Sequence, residues 1–92
     1  MPVEVRIPTI LRTYTGGEKA VDASGQSLSA LIDDLEANHP GLKDRLIENG
    51  DLRRFVNVYV NDEDVRFIGS LDAELSDGDQ VVVLPAVAGG SR

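Results

Sequence analysis

Only one stretch of this 92-residue chain carries helical apolar spacing over several turns, and that limits its folds more than any other feature. Leu28, Leu31, Ile32 and Leu35 recur at i, i+3, i+4 and i+7, so one face of a helix is apolar, while Asp33, Asp34 and Glu36 lie on the other side. A helix of this length is marginal alone and must bury its stripe against something. What the chain offers is a set of short segments with a period of two. One helix covering one face of a small mixed sheet accounts for all the apolar positions, which is an α+β architecture.

The segments follow in order. Val3, Val5 and Ile7 alternate with Glu4 and Arg6, predicting a half-buried strand that ends at Pro8. Ile10 to Gly17 is a connection turned by Gly16-Gly17, and residues 18–23 return as a second strand, making a hairpin with a long loop. Ser27 is the expected N-cap of the helix, and Pro40 ends it by disfavouring helical geometry at His39. Residues 42–51 can hold one more helical turn, with Leu42 and Leu46 facing inward and Asn49-Gly50 as a turn. Residues 55–60 read as the strongest strand: Val56, Val58 and Val60 suit a core, and Phe55, Asn57 and Tyr59 suit a surface. Asn61 to Asp64 is expected as a turn, 65–67 as a short strand and 71–75 as a single turn. Gly78 can take positive φ in a tight turn before the last strand, 80–84.

Composition excludes much chemistry. There is no cysteine, which rules out disulfides, thiolate metal sites and a Cys nucleophile. One histidine, His39, rules out a multi-His metal site and leaves little room for a Ser-His-Asp triad. Nine basic residues against sixteen acidic ones give a net charge of −7, which disfavours nucleic acid and favours a partner with a basic face. No run approaches the roughly 18 apolar residues of a membrane span. The first residues have neither a basic start nor an apolar core of the signal-peptide kind, so a cytoplasmic protein is expected. A chain of this size has little volume for an enclosed pocket, so function is expected on the surface or at a terminus.

The local motifs mostly fail on spacing. Gly16-Gly17-Glu18-Lys19 lacks the earlier glycine of a phosphate loop, and Ala20 stands where Ser or Thr is needed. Counted from Asn61, an EF-hand would need Gly at Arg66 and Glu at Asp72. His39 has no positioned partner and suits a helix end better than a catalytic base. Arg53-Arg54 is too small for nucleic acid; it can dock a carboxylate or simply be exposed.

Val87-Ala88-Gly89-Gly90 would project from the last strand. Ala and Gly carry almost no side chain, so such a tail can thread a narrow channel into another protein. The remaining pieces of the chain give this weak signal a context. Ile7-Pro8-Thr9-Ile10-Leu11-Arg12, Asp34-Leu35-Glu36-Ala37-Asn38, residues 54–67 and Leu84-Pro85-Ala86-Val87-Ala88-Gly89-Gly90 together resemble the ThiS/MoaD family of ubiquitin-like sulfur carriers, most closely the CysO type. The Asp77-Gly78-Asp79 turn is similar too.

That resemblance implies a β-grasp fold, with residues 1–86 as the domain and 87–92 as the tail. It implies that an adenylating partner uses ATP to activate the Gly90 carboxylate, with Gly89 beside it, and that a sulfur donor converts it to a thiocarboxylate. No cofactor or metal would be bound by the carrier itself. The sulfur would pass to a cysteine synthase or a thiosugar synthase, and a JAMM-type metalloprotease would release cysteine. By analogy with other β-grasp carriers, the sheet face opposite the helix would dock partners through Phe55, Tyr59, Val82 and Leu84, with Val87 and Ala88 entering the partner. The free carrier would be a monomer, not an enzyme. Ser91 and Arg92 follow Gly90, so charging there requires their removal by a peptidase, unless the pair is foreign to the natural chain. Two rival readings are the small subunit of a molybdopterin synthase and a plain interaction module with incidental glycines.

Overall fold

The computed structural model describes residues 2–54 and 56–85. Among the described residues seven strands and two α-helices follow one another as β1 (Val3–Arg6), β2 (Ala20–Ala23), α1 (Leu28–Asn38), α2 (Leu42–Leu46), β3 (Ile47–Glu48), β4 (Asp51–Leu52), β5 (Val56–Val60), β6 (Glu63–Asp64) and β7 (Gln80–Pro85). Five strands form one mixed sheet in the order β2-β1-β7-β5-β6. The central β1–β7 pair is parallel and the other pairings are antiparallel. β3 and β4 make a separate two-stranded ribbon.

Alternation decides which sheet face is covered. Val3 and Val5 on β1, Val56, Val58 and Val60 on β5, and Val81 and Val83 on β7 are all buried. The helix supplies the other half of the core through Leu28, Leu31, Ile32 and Leu35, none more than 2% exposed. Burying each such side chain is worth about 1.5–3 kcal/mol. α1 starts as expected: the Ser27 hydroxyl accepts the Ala30 N–H at 3.2 Å. It ends at Asn38, where the His39 N–H reaches Leu35 O at 2.7 Å before Pro40.

Five sequence expectations change. The connection after β1 is not irregular: Thr9–Thr15 winds into a 3-10 helix that buries Leu11 and Thr15. The buried Thr15 hydroxyl is satisfied by the carbonyls of Arg12 and Glu18 at 3.2 and 2.9 Å. After the expected turn of helix at α2 comes the β3–β4 hairpin, turned by Asn49-Gly50. The segment 65–67 is a 3-10 turn, not a strand, because the Asp64 carboxylate accepts the Arg66 N–H at 2.9 Å and caps it. Strand pairing there belongs instead to Glu63-Asp64, opposite Val60 and Tyr59, which shortens the expected four-residue turn to Asn61-Asp62. The single turn expected at 71–75 is a 3-10 turn over Ser70–Asp72. Gly78 takes φ 88° before β7, as its position requires.

Candidate functional site

β7 is the last described element before the chain's end. It lies between β1 and β5, and five consecutive pairs with β5, from Val60↔Val81 to Val56↔Pro85, fix its register. That register is locked at the start of the strand by Asn61. Its Oδ1 accepts the Gln80 N–H at 3.0 Å, its Nδ2 donates to Asp79 Oδ1 at 3.0 Å, and its backbone N–H donates to Gln80 O at 2.9 Å. Asp79 also accepts the Ser76 N–H at 2.8 Å. The Ser76 and Asn61 donors, the first the stronger, hold the Asp79 carboxyl below its ordinary value.

With the register fixed, alternate residues of β7 point to opposite faces. Val82 stands opposite Tyr59, and Leu84 opposite Asn57, on the face away from α1. Tyr59 and Val82 are half-buried, and Leu84 is 45% exposed. Together with Asp62 they line a shallow concavity of about 260 Å³. The structure therefore brings Tyr59, Val82 and Leu84 into one exposed apolar patch. Phe55, Val87, Ala88, Gly89 and Gly90, also singled out from the sequence, lie outside the described residues, as do Ser91 and Arg92.

Other singled-out residues have structural work. His39 is half-buried at the end of α1. Arg53 donates from Nε to Asp44 O at 2.8 Å and lies 3.5 Å from Glu48 through Nη1, while Arg54 is exposed. Two features escaped sequence reading. Phe67 is 84% exposed, because in the 3-10 turn Val65 and Ile68 face inward instead. A groove lined by Ile10, Tyr14, Arg45, Arg53 and Pro85 borders the end of β7, and its residues come from segments too distant for any spacing rule to unite. Among the described residues no cluster of three or more His, Cys, Asp or Glu could hold a metal ion, and no helix is long and apolar enough to cross a membrane.

A mixed sheet clasping one principal helix, with its central last strand leading to the chain's end beside an exposed apolar patch, defines a ubiquitin-like β-grasp protein. The chain belongs to the ThiS family, whose pattern matches residues 5–90. It is 60% identical to the sulfur carrier protein CysO of Mycobacterium tuberculosis, over 98% of this chain and all of that one. The crystal structure of the Amycolatopsis orientalis BexX/CysO complex contains a chain 61% identical, with a TM-score of 0.92, covering 96% of this chain and 99% of that one. The solution structure of small archaeal modifier protein 1 from Methanosarcina acetivorans superposes with a TM-score of 0.83 at 28% identity, over 97% and 96% of the two chains. The likeness is thus to CysO-like sulfur carriers, which are small ubiquitin-like proteins and not themselves catalysts.

Proposed function

We propose that this protein carries sulfur as a thiocarboxylate on Gly90. The observation that carries the reading is the placement of β7: a central strand paired on both sides, whose end, at Pro85, is flanked by the Tyr59–Val82–Leu84 patch five residues before Gly90. The folded body supplies recognition. The end supplies an unhindered carboxylate, which needs no side-chain catalyst of its own and suits a chain with no cysteine and one histidine.

The chemistry balances in two steps on a partner of the adenylating class. The Gly90 carboxylate oxygen attacks the α-phosphorus of ATP, expelling pyrophosphate and forming the acyl-adenylate. A sulfur nucleophile at the oxidation level of sulfide then attacks the acyl carbon and expels AMP, which keeps one former carboxylate oxygen. The thiocarboxylate sulfur is the nucleophile delivered onward, to an activated serine on a cysteine synthase or to a sugar on a thiosugar synthase. With the serine acceptor, the sulfur bonds to the serine β-carbon as the activating group leaves with its oxygen, and hydrolysis by a metalloprotease then releases cysteine and restores the carboxylate. Removal of Ser91-Arg92 precedes all of this, because an internal Gly90 has no free carboxylate.

Intact mass tests the reading. A chain ending at Gly90, incubated with ATP, sulfide and the adenylating partner, gains the mass difference between sulfur and oxygen. The same chain ending at Arg92 stays unchanged unless the peptidase is added. Absence of any shift in the trimmed chain overturns the proposal. A stable stoichiometric complex with a molybdopterin synthase large subunit would instead assign the tail to permanent insertion.

A further inference from the structure

The apolar patch covers only one side of the chain's exit. Val82 and Leu84 point away from α1, whereas Val83 and Pro85 border the second concavity, a groove of about 440 Å³. Its walls come from the 3-10 helix after β1, from α2, from the residue after β4, from the start of β5 and from β7. No aspartate or glutamate lines it.

Arg45 is the feature that needs an explanation. Its Nε donates to the Tyr14 hydroxyl at 2.7 Å, and its guanidinium carbon sits 5.7 Å from the Tyr14 ring centroid. Tyr14 is itself held: a Cβ at Gly41 would come within 3.0 Å of its ring, and Gly41 has φ 97°. Among the described residues, no carboxylate pairs with Arg45, and nothing accepts a hydrogen bond from Nη1 or Nη2. Several basic residues lack a carboxylate partner among the described residues; what distinguishes Arg45 is that it is exposed yet oriented by Tyr14 at the wall of an apolar groove. Beside it stands Ile10, 66% exposed. A guanidinium held through Nε presents its remaining donors as a fork matched to a carboxylate.

Resting on the carrier function above, we infer that this groove docks an acidic segment of the adenylating partner. A carboxylate engages the Arg45 fork, and a neighbouring apolar side chain lies over Ile10 and Pro85. Charge selects this occupant. The net charge of −7 repels an acidic segment over most of the surface, while a basic segment is drawn to the acidic faces and away from Arg45 and Arg53. Position supports it too. Gly90 is five residues beyond Pro85, an extended reach of at most about 18 Å, so the part of the partner segment that lies over Pro85 is within about that distance of the adenylating centre. Gripped by the patch on one face and the groove on the other, the root of the tail is fixed in direction while the end enters the partner.

The test is steady-state adenylation of the chain ending at Gly90, read as carrier-dependent pyrophosphate exchange. Arg45→Glu raises KM for the carrier about tenfold with kcat unchanged, because the contact is lost equally in the ground and transition states. Arg45→Lys keeps the charge, loses the fork and falls between. Ile10→Ser raises KM about threefold by removing the apolar anchor. Lys19→Glu makes the same charge change in an exposed turn away from the groove and leaves KM unchanged. Added salt narrows the gap between the wild type and Arg45→Glu.

A wild-type KM in both Arg45 variants overturns the inference, as does an equal rise in Lys19→Glu, which would indicate net charge alone. Should Arg45→Glu fail to fold by circular dichroism, Arg45→Lys and Ile10→Ser decide. A wild-type dimer in sedimentation that Arg45→Glu disperses would give the groove to a second copy and overturn the partner assignment. A wild type that is never adenylated defeats the carrier function itself, whereas a charged wild type with indifferent variants defeats only the groove.

Discussion

Asn61 shows how much a single side chain sets here. It sits at φ 50° in the two-residue turn between β5 and β6, with Asp62 beside it at φ 73°. Asn and Asp tolerate this left-handed region better than other L residues, which is why a turn lacking glycine still closes tightly. The same side chain joins Asp79 and Gln80 and so fixes where β7 begins. Asn61→Ala loses both bonds and strains the backbone, and should cost about 2–3 kcal/mol in urea unfolding. Asn61→Gly loses the bonds without the strain and should cost about 1–2 kcal/mol, so the pair separates the two causes. Glu36 is the second such residue. Its carboxylate accepts the N–H groups of Lys43 at 2.9 Å and Gly41 at 3.1 Å, tying the end of α1 to the start of α2. The Lys43 and then Gly41 backbone donors lower its pKa from the ordinary 4.5. A carboxyl depressed on folding contributes stability above its unfolded value and loses it as the pH falls through the folded value. Thermal melts of the wild type should therefore drop below about pH 4.5 more steeply than those of Glu36→Gln. Parallel curves would remove Glu36 from the acid response.

At the scale of elements, legibility followed length and periodicity. The i, i+3, i+4, i+7 stripe of α1 was readable because four positions repeat one face, and all four are buried. Leu31→Ala, at 0% exposure, should cost about 2–5 kcal/mol by denaturant midpoint, a large share of a small domain's stability. Substitution to Ala at an exposed position of α1, such as Asn38, has no such effect, so a small loss at Leu31 would contradict the core assignment. β5 was readable from its two unlike faces: valines inward, Tyr59 and Asn57 outward. β3 and β4 were not, since two residues each cannot show a period, and only their Asn49-Gly50 turn left a mark. The 65–67 segment misled because Val65 and Phe67 alternate like a strand, while a cap from Asp64 two residues back decides the local winding. The patch residues Tyr59, Val82 and Leu84 followed from strand alternation, but the Arg45 groove joins five segments by tertiary packing alone.

The whole molecule divides recognition from reaction. Among the described residues the buried apolar side chains run from Val3 to Val83, and the helix, the sheet and the walls of the two concavities are drawn from residues up to Pro85. The residues that the proposed chemistry needs come afterwards, at Gly89 and Gly90. If the two roles are separable, a chain truncated after Pro85 keeps the stability of the full chain. Its urea midpoint should shift by less than the change produced by about 0.5 kcal/mol, and its m-value should not change, because m follows the surface exposed on unfolding. The truncated chain should also compete with the chain ending at Gly90 for the adenylating partner, since both surfaces remain, while accepting no sulfur itself. Stability lost on truncation would mean that the end is part of the core, and its role as a reactive arm would fall. Stability kept with no competition would mean that the partner is recognised through the tail alone, leaving the patch and the groove without a task. Inhibition by a fully stable, uncharged body is the one outcome that assigns recognition to the domain and reaction to its end.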